Sequence, residues 1–121
     1  MSLCLAAGAL VASLGAGEIT LAWQHSVQKT IWQEVWRATP AGLVMTEARI
    51  QGSGAGMEAP PGAKLVDGFW QWTPKLPAQR EIMMRRSGAT DDWRVCIAGT
   101  CRPMGDYLPP DADPVVLKAC P

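Results

Sequence analysis

Charge of one sign is missing: Lys plus Arg number 11, Asp plus Glu number 11, and the net charge is zero. A balanced chain has no excess field for a nucleic-acid backbone or an anionic membrane, unless its charges are segregated on the surface. Charged residues are scarce at 18% while apolar ones reach 48%, which excludes disorder. A bilayer-spanning run is absent. The small apolar stretch 3–16 (LCLAAGALVASLGA) is too short, no Lys or Arg precedes it, and Gly8 and Gly15 break it. It reads as strand, turn and strand, and no export signal is visible. Histidine occurs once, at His25, and Phe and Tyr once each, whereas Trp occurs six times. Trp favours cores with a polar handle or binding faces. With 121 residues the chain fits a single domain over 1–121, able to bury about two-thirds of its unfolded surface.

Four cysteines, Cys4, Cys96, Cys101 and Cys120, allow three disulfide connectivities. The run Cys96-Ile97-Ala98-Gly99-Thr100-Cys101 reads as a tight hairpin turning at Ala98-Gly99. Cys96 and Cys101 then form a non-hydrogen-bonded cross-strand pair, whose close Cα atoms suit a disulfide. Cys4 and Cys120 remain for each other. The alternative is a set of buried thiols. With Cys-x4-Cys spacing and a lone His, no metal site is expected. Bridges of this kind place the protein outside the reducing cytosol.

Short alternating segments separated by Gly, Pro and Asp clusters are an all-β pattern. The expected strands are 2–6, 9–13, 18–25, 30–38, 43–51, 68–73, 81–87, 92–97, 100–103 and 115–119. No window sustains a 3.6-residue apolar period, so little or no helix is expected. The architecture is an antiparallel β-sandwich or flattened barrel. Residues 59–67 read as a loop, and 103–114, with Pro103, Pro109, Pro110 and Pro114, as an irregular crossing.

Hairpins joining 18–25 to 30–38, and 30–38 to 43–51, set Trp23 opposite Trp32 and Trp32 opposite Arg49. They also set Leu21 opposite Glu34, Glu34 opposite Glu47, Ile19 opposite Trp36 and Trp36 opposite Met45. Glu34, Glu47 and Arg49 then share one apolar face, where Arg49 would bridge the carboxylates. A one-residue slip would dissolve this cluster. Asp91-Asp92 reads as a solvated turn and Arg85-Arg86 as an in-and-out pair on a strand.

The segment His25-Ser26-Val27-Gln28-Lys29-Thr30 falls at a strand end and turn, and Gln51-Gly52-Ser53-Gly54-Ala55-Gly56-Met57-Glu58 is Gly-rich. The latter lacks the Gly-Lys-Ser/Thr of a phosphate loop and the Gly-x-Ser-x-Gly of a nucleophile elbow, but its backbone can cradle an anion. Antiparallel order brings both segments to the same sheet edge. Lys29 there adds a positive charge, so a carboxylate-bearing ligand is the expected match.

The runs ITLAWQHSVQKTIWQEVWR and LVMTEARIQGSGAGME, together with the Cys96 and Cys101 pair, resemble the small bacterial domain of unknown function 1850. That family is often encoded beside tripartite ATP-independent periplasmic (TRAP) transporters of the TAXI type. The resemblance implies a periplasmic accessory role and supplies no activity to carry over. Its motif falls on His25, Ser26, Lys29, Thr30, Glu34, Glu47, Arg49, Gly54 and Gly56, and Ser53 lies within it. The expected function is a non-enzymatic extracytoplasmic binding module, with a transporter component or small anionic ligand as partner and no cofactor. The alternatives are a small hydrolase-like enzyme using His25 with Glu34 or Glu47, and a purely structural interaction domain.

Overall fold

The computed structural model describes residues 1–24, 30–52, 59–86 and 92–120. Among these described residues eleven strands follow in order: β1 (Ser2–Ala7), β2 (Leu10–Ser13), β3 (Glu18–Gln24), β4 (Ile31–Thr39), β5 (Gly42–Gln51), β6 (Lys64–Val66), β7 (Phe69–Trp72), β8 (Glu81–Met84), β9 (Arg94–Ile97), β10 (Thr100–Pro103) and β11 (Val115–Cys120). One 3-10 turn, Met104–Asp106, is the sole helical element among the described residues. The strands form a four-stranded sheet, ordered β2-β1-β11-β8, and a seven-stranded sheet, ordered β10-β9-β3-β4-β5-β7-β6. Both are antiparallel and neither closes into a barrel.

Each expected strand is found, with ends moved by a few residues. The stretch 3–16 forms β1 and β2, joined by a turn at Gly8, whose φ is +60°. One strand escaped the sequence reading. Within 59–67, residues Lys64–Val66 pair with β7 across a turn at Asp67 (φ 50°) and Gly68 (φ 84°). Those angles are the mirror-image turn that Asp-Gly favours in hairpins. The turn at Ala98 (φ 51°) and Gly99 (φ 86°) has the same form and sets Cys96 directly opposite Cys101.

The two sheets pack face to face. Leu3, Leu5, Met84, Val115 and Leu117 from the smaller sheet meet Ile19, Leu21, Trp36, Leu43 and Val95 from the larger, and Met104 and Leu108 close the end. Alternation along each strand sends these side chains inward. The 103–114 crossing is held by Arg86, whose side chain is only 5% exposed. Its guanidinium grips Asp92 with two bonds and donates to the carbonyls of Pro109 and Ala112. Asp92 is therefore an ion-pair partner and not part of a solvated turn. Arg85 points the other way, outward onto Asp113.

Both expected disulfides are present, Cys4–Cys120 and Cys96–Cys101, and no described cysteine is free. Their sequence separations are 116 and 5 residues. Chain entropy alone makes the first worth about 4–5 kcal/mol and the second about 2. Denaturant melts of Cys4→Ser/Cys120→Ser should accordingly show at least twice the loss seen in Cys96→Ser/Cys101→Ser. Equal losses would refute an entropic origin.

Candidate functional site

The register of β3 on β4 is as the sequence implied: Ile19 faces Trp36, Leu21 faces Glu34 and Trp23 faces Trp32. Trp36 also faces Met45. Between Val35 and Trp36 the β4–β5 register then shifts by one, because Glu47 opposes Val35 while Met45 opposes Trp36, leaving Thr46 as an extra residue on β5. This bulge corrects the expected carboxylate cluster. Beyond it Glu34 faces Ala48, Gln33 faces Arg49 and Trp32 faces Ile50. The extra residue reverses side-chain parity, so Ala48 and Ile50 turn inward and Glu47 and Arg49 turn outward.

Glu47 and Arg49 thus sit on the opposite face from Glu34. Arg49 Nε donates to Glu47 at 2.7 Å, its Nη2 pairs with the same carboxylate, and its Nη1 donates to Gln33 at 3.1 Å. Both charged side chains are 31% exposed. A cleft of about 320 Å³ lies over this group, edged by Asp67 and Phe69. A larger groove of about 770 Å³ adjoins it, lined by Glu47, Gln71, Trp72, Lys64, Lys75 and Pro60.

On the inner face Glu34 has a different environment. Its carboxylate accepts from Trp36 Nε1 at 3.1 Å and from Trp32 Nε1 at 3.4 Å. The Trp32-x-Glu34-x-Trp36 spacing makes this possible, since residues two apart on a strand share a face. Among the described residues no cation pairs with Glu34. Burial pushes its carboxyl above the usual carboxylate range, and the Trp36 and Trp32 donors pull weakly the other way.

Around Glu34 the tryptophans form a connected row. Trp23 stacks on Trp32 with centroids 5.7 Å apart, and Trp93 tilts onto Trp23 at 4.6 Å. Trp72 meets Trp32 edge to face at 6.1 Å. Trp36 belongs to the core, whereas Trp23, Trp32 and Trp72 lie outside it and are half-buried. The sequence reading placed Trp23 and Trp32 here but missed Trp72 and Trp93. Trp72 was reachable only through β7, whose pairing sets it opposite Ala48 and hence in line with Glu34.

Of the other expected site residues, Thr30 lies beside Gly52: a Cβ on that glycine would sit 3.8 Å from the Thr30 methyl. His25, Ser26, Lys29, Ser53, Gly54 and Gly56 lie outside the described residues. Among the described residues no three His, Cys, Asp or Glu side chains converge as a metal site. No helix among them is long and apolar enough to cross a membrane.

The family model described as Domain of unknown function (DUF1850) matches residues 19–104. The chain belongs to the DUF1850 family. No curated protein and no solved structure matches it. The matched span runs from β3 to the start of the 3-10 turn. The DUF1850 match therefore contains Glu34, all six tryptophans and the bulge, and it omits β1, β2 and β11.

Two outcomes follow for variants of this DUF1850 protein. Arg49→Ala removes a partly exposed pair and should cost about 0.2–1 kcal/mol in denaturant melts, far less than loss of a buried bridge. Glu34 carries the opposite signature. Below the ordinary Glu value of about 4.3 both folded and unfolded chains hold the proton. As pH rises past that value the unfolded chain loses it first, so stability falls until the raised pKa of Glu34 in the folded chain is passed, and stays at that lower level above it. Glu34→Gln should remove that decline, which for one group cannot exceed about 1.4 kcal/mol per pH unit. Melts of both proteins between pH 4 and 8 test this; parallel curves would refute it.

Proposed function

We propose that this DUF1850 protein is a non-enzymatic binding module, folding as one unit over 1–121 and acting outside the cytoplasm as an accessory to a TRAP-type solute transporter. The observation that carries the binding reading is the tryptophan row beyond the core. Trp23, Trp32 and Trp72 keep accessible surface although each ring contributes a large apolar area when buried. Half-buried aromatics grouped on one face are the composition of recognition surfaces. The extracytoplasmic reading draws support from the two disulfides, which persist only under oxidising conditions. The transporter reading rests on the gene neighbours of proteins with the same sequence motif. His25, Ser26, Lys29, Thr30, Ser53, Gly54 and Gly56 remain part of the proposed surface, as a polar margin to the aromatic face.

The hydrolase alternative needs His25 beside a carboxylate. Glu47 is already neutralised by Arg49, and Glu34 is on the other side of the sheet. The alternative therefore requires His25 to use either Glu34 or Glu47, one without the other.

Capture of the transporter's solute-binding protein by immobilised wild type tests the reading. Trp72→Ala should reduce retention about tenfold or more while far-UV circular dichroism stays unchanged, as expected when one anchor residue is truncated. Equal retention by the variant would remove the aromatic face from consideration. Turnover of a generic ester, lost in His25→Ala, would establish the enzyme reading instead.

A further inference from the structure

The strongest unexplained feature among the described residues is a half-buried carboxylate held between two indole N–H groups. Among the described residues Glu34 receives two neutral N–H donors, one on each oxygen, and neither carries a full positive charge. A carboxylate has about four acceptor positions, so these two donors account for about half of them. Glu34, Ala48 and Trp72 stand side by side on β4, β5 and β7, so only a methyl group separates the acid from the Trp72 ring along that row. Trp32 and Trp72 are perpendicular, with an interplanar angle of 90°, and form a corner beside the carboxylate. Trp23 backs Trp32 from the other side.

We propose that this corner of Trp32, Trp72 and Glu34 binds a small organic cation through its ammonium group. The inference rests on the aromatic face being a binding surface and adds the sign and type of charge that it takes. An anionic ligand would meet Glu34 with like charge, and a neutral one would leave the desolvated carboxylate uncompensated. A substituted ammonium gains from both partners: the indole faces attract it through their quadrupoles, and the carboxylate supplies a charge-assisted contact. Its alkyl groups hold water less tightly than a bare metal ion does. A hard divalent cation fits poorly, since it seeks about six oxygen ligands and no three His, Cys, Asp or Glu side chains converge among the described residues. The Lys64 and Lys75 side chains line a separate groove together with Glu47 and Gln71, and neither Glu34 nor Trp32 lines it.

The test is a titration of the oxidised full chain with tetramethylammonium chloride and with n-butylammonium chloride, followed by tryptophan fluorescence. Sodium chloride at matched ionic strength is the control. The expected result is a saturable change, half-complete at about 1–10 mM for ligands of this size. Glu34→Gln, which keeps the side chain's shape, should weaken binding about tenfold or more, and Trp72→Leu should weaken it several-fold. Thermal melts confirm that each variant is folded, and either variant alone suffices. Absence of saturation beyond the sodium control, equal affinity in Glu34→Gln, or saturation by sodium acetate instead would each overturn the proposal. Its failure is separable from failure of the binding-module reading, because capture of the solute-binding protein is measured without any ammonium ion.

Discussion

One extra residue on β5 organises the whole inner face of the larger sheet. Without the bulge at Thr46, Glu47 and Arg49 would point into the sandwich and Ala48 and Ile50 out of it. With it, an ion pair goes to the solvent side, and a methyl and a fully buried isoleucine fill the space beneath the tryptophans. A bulge costs one pairing position in the ladder. In exchange it spares the core two charges, whose desolvation runs to several kcal/mol per ion. Trp32 and Trp72 meet across β5 because small Ala48 lies below them.

Among the described residues, the secluded side chains of Arg86 and Glu34 are handled in opposite ways. Arg86 is well paired: a carboxylate and two carbonyls meet four of its five donors, and it anchors a proline-rich crossing. Glu34 is under-satisfied in charge, though each oxygen has a donor. Fully paired buried charges are what a scaffold needs. Among the described residues no counter-charge meets the Glu34 carboxylate, which lowers the stability of the ionised protein and makes the group a functional-site candidate.

Much of the fold was legible because β structure writes short-range rules into the chain. The Ala98-Gly99 turn fixed which residue faces Cys101, and with it both disulfides. The Trp32-x-Glu34-x-Trp36 spacing placed two indoles on the face of one acid. The bulge was not legible, since Thr46 is an unremarkable strand residue, and no turn former or glycine announces it. Its trace lies in the apolar pattern Leu43-x-Met45-x-x-Ala48-x-Ile50, whose step changes once from two to three. Reading that step would have separated Glu34 from Arg49. The β6 strand was missed although Asp67-Gly68 is a strong hairpin signal, because the prolines before it suggested a loop throughout. Trp72 and Trp93 are distant in sequence from Glu34, and only strand order brings them near.

The Cys4–Cys120 link has a mechanical consequence. β1 and β11 run antiparallel side by side, and the sulfur bridge spans them near their outer ends. Tension applied from outside this pair passes through one covalent bond and bypasses the 116-residue separation between the cysteines. Strands elsewhere in both sheets then feel almost none of the pull. A module tethered through its ends in a shearing or crowded envelope would keep its aromatic face assembled until that single bond is reduced.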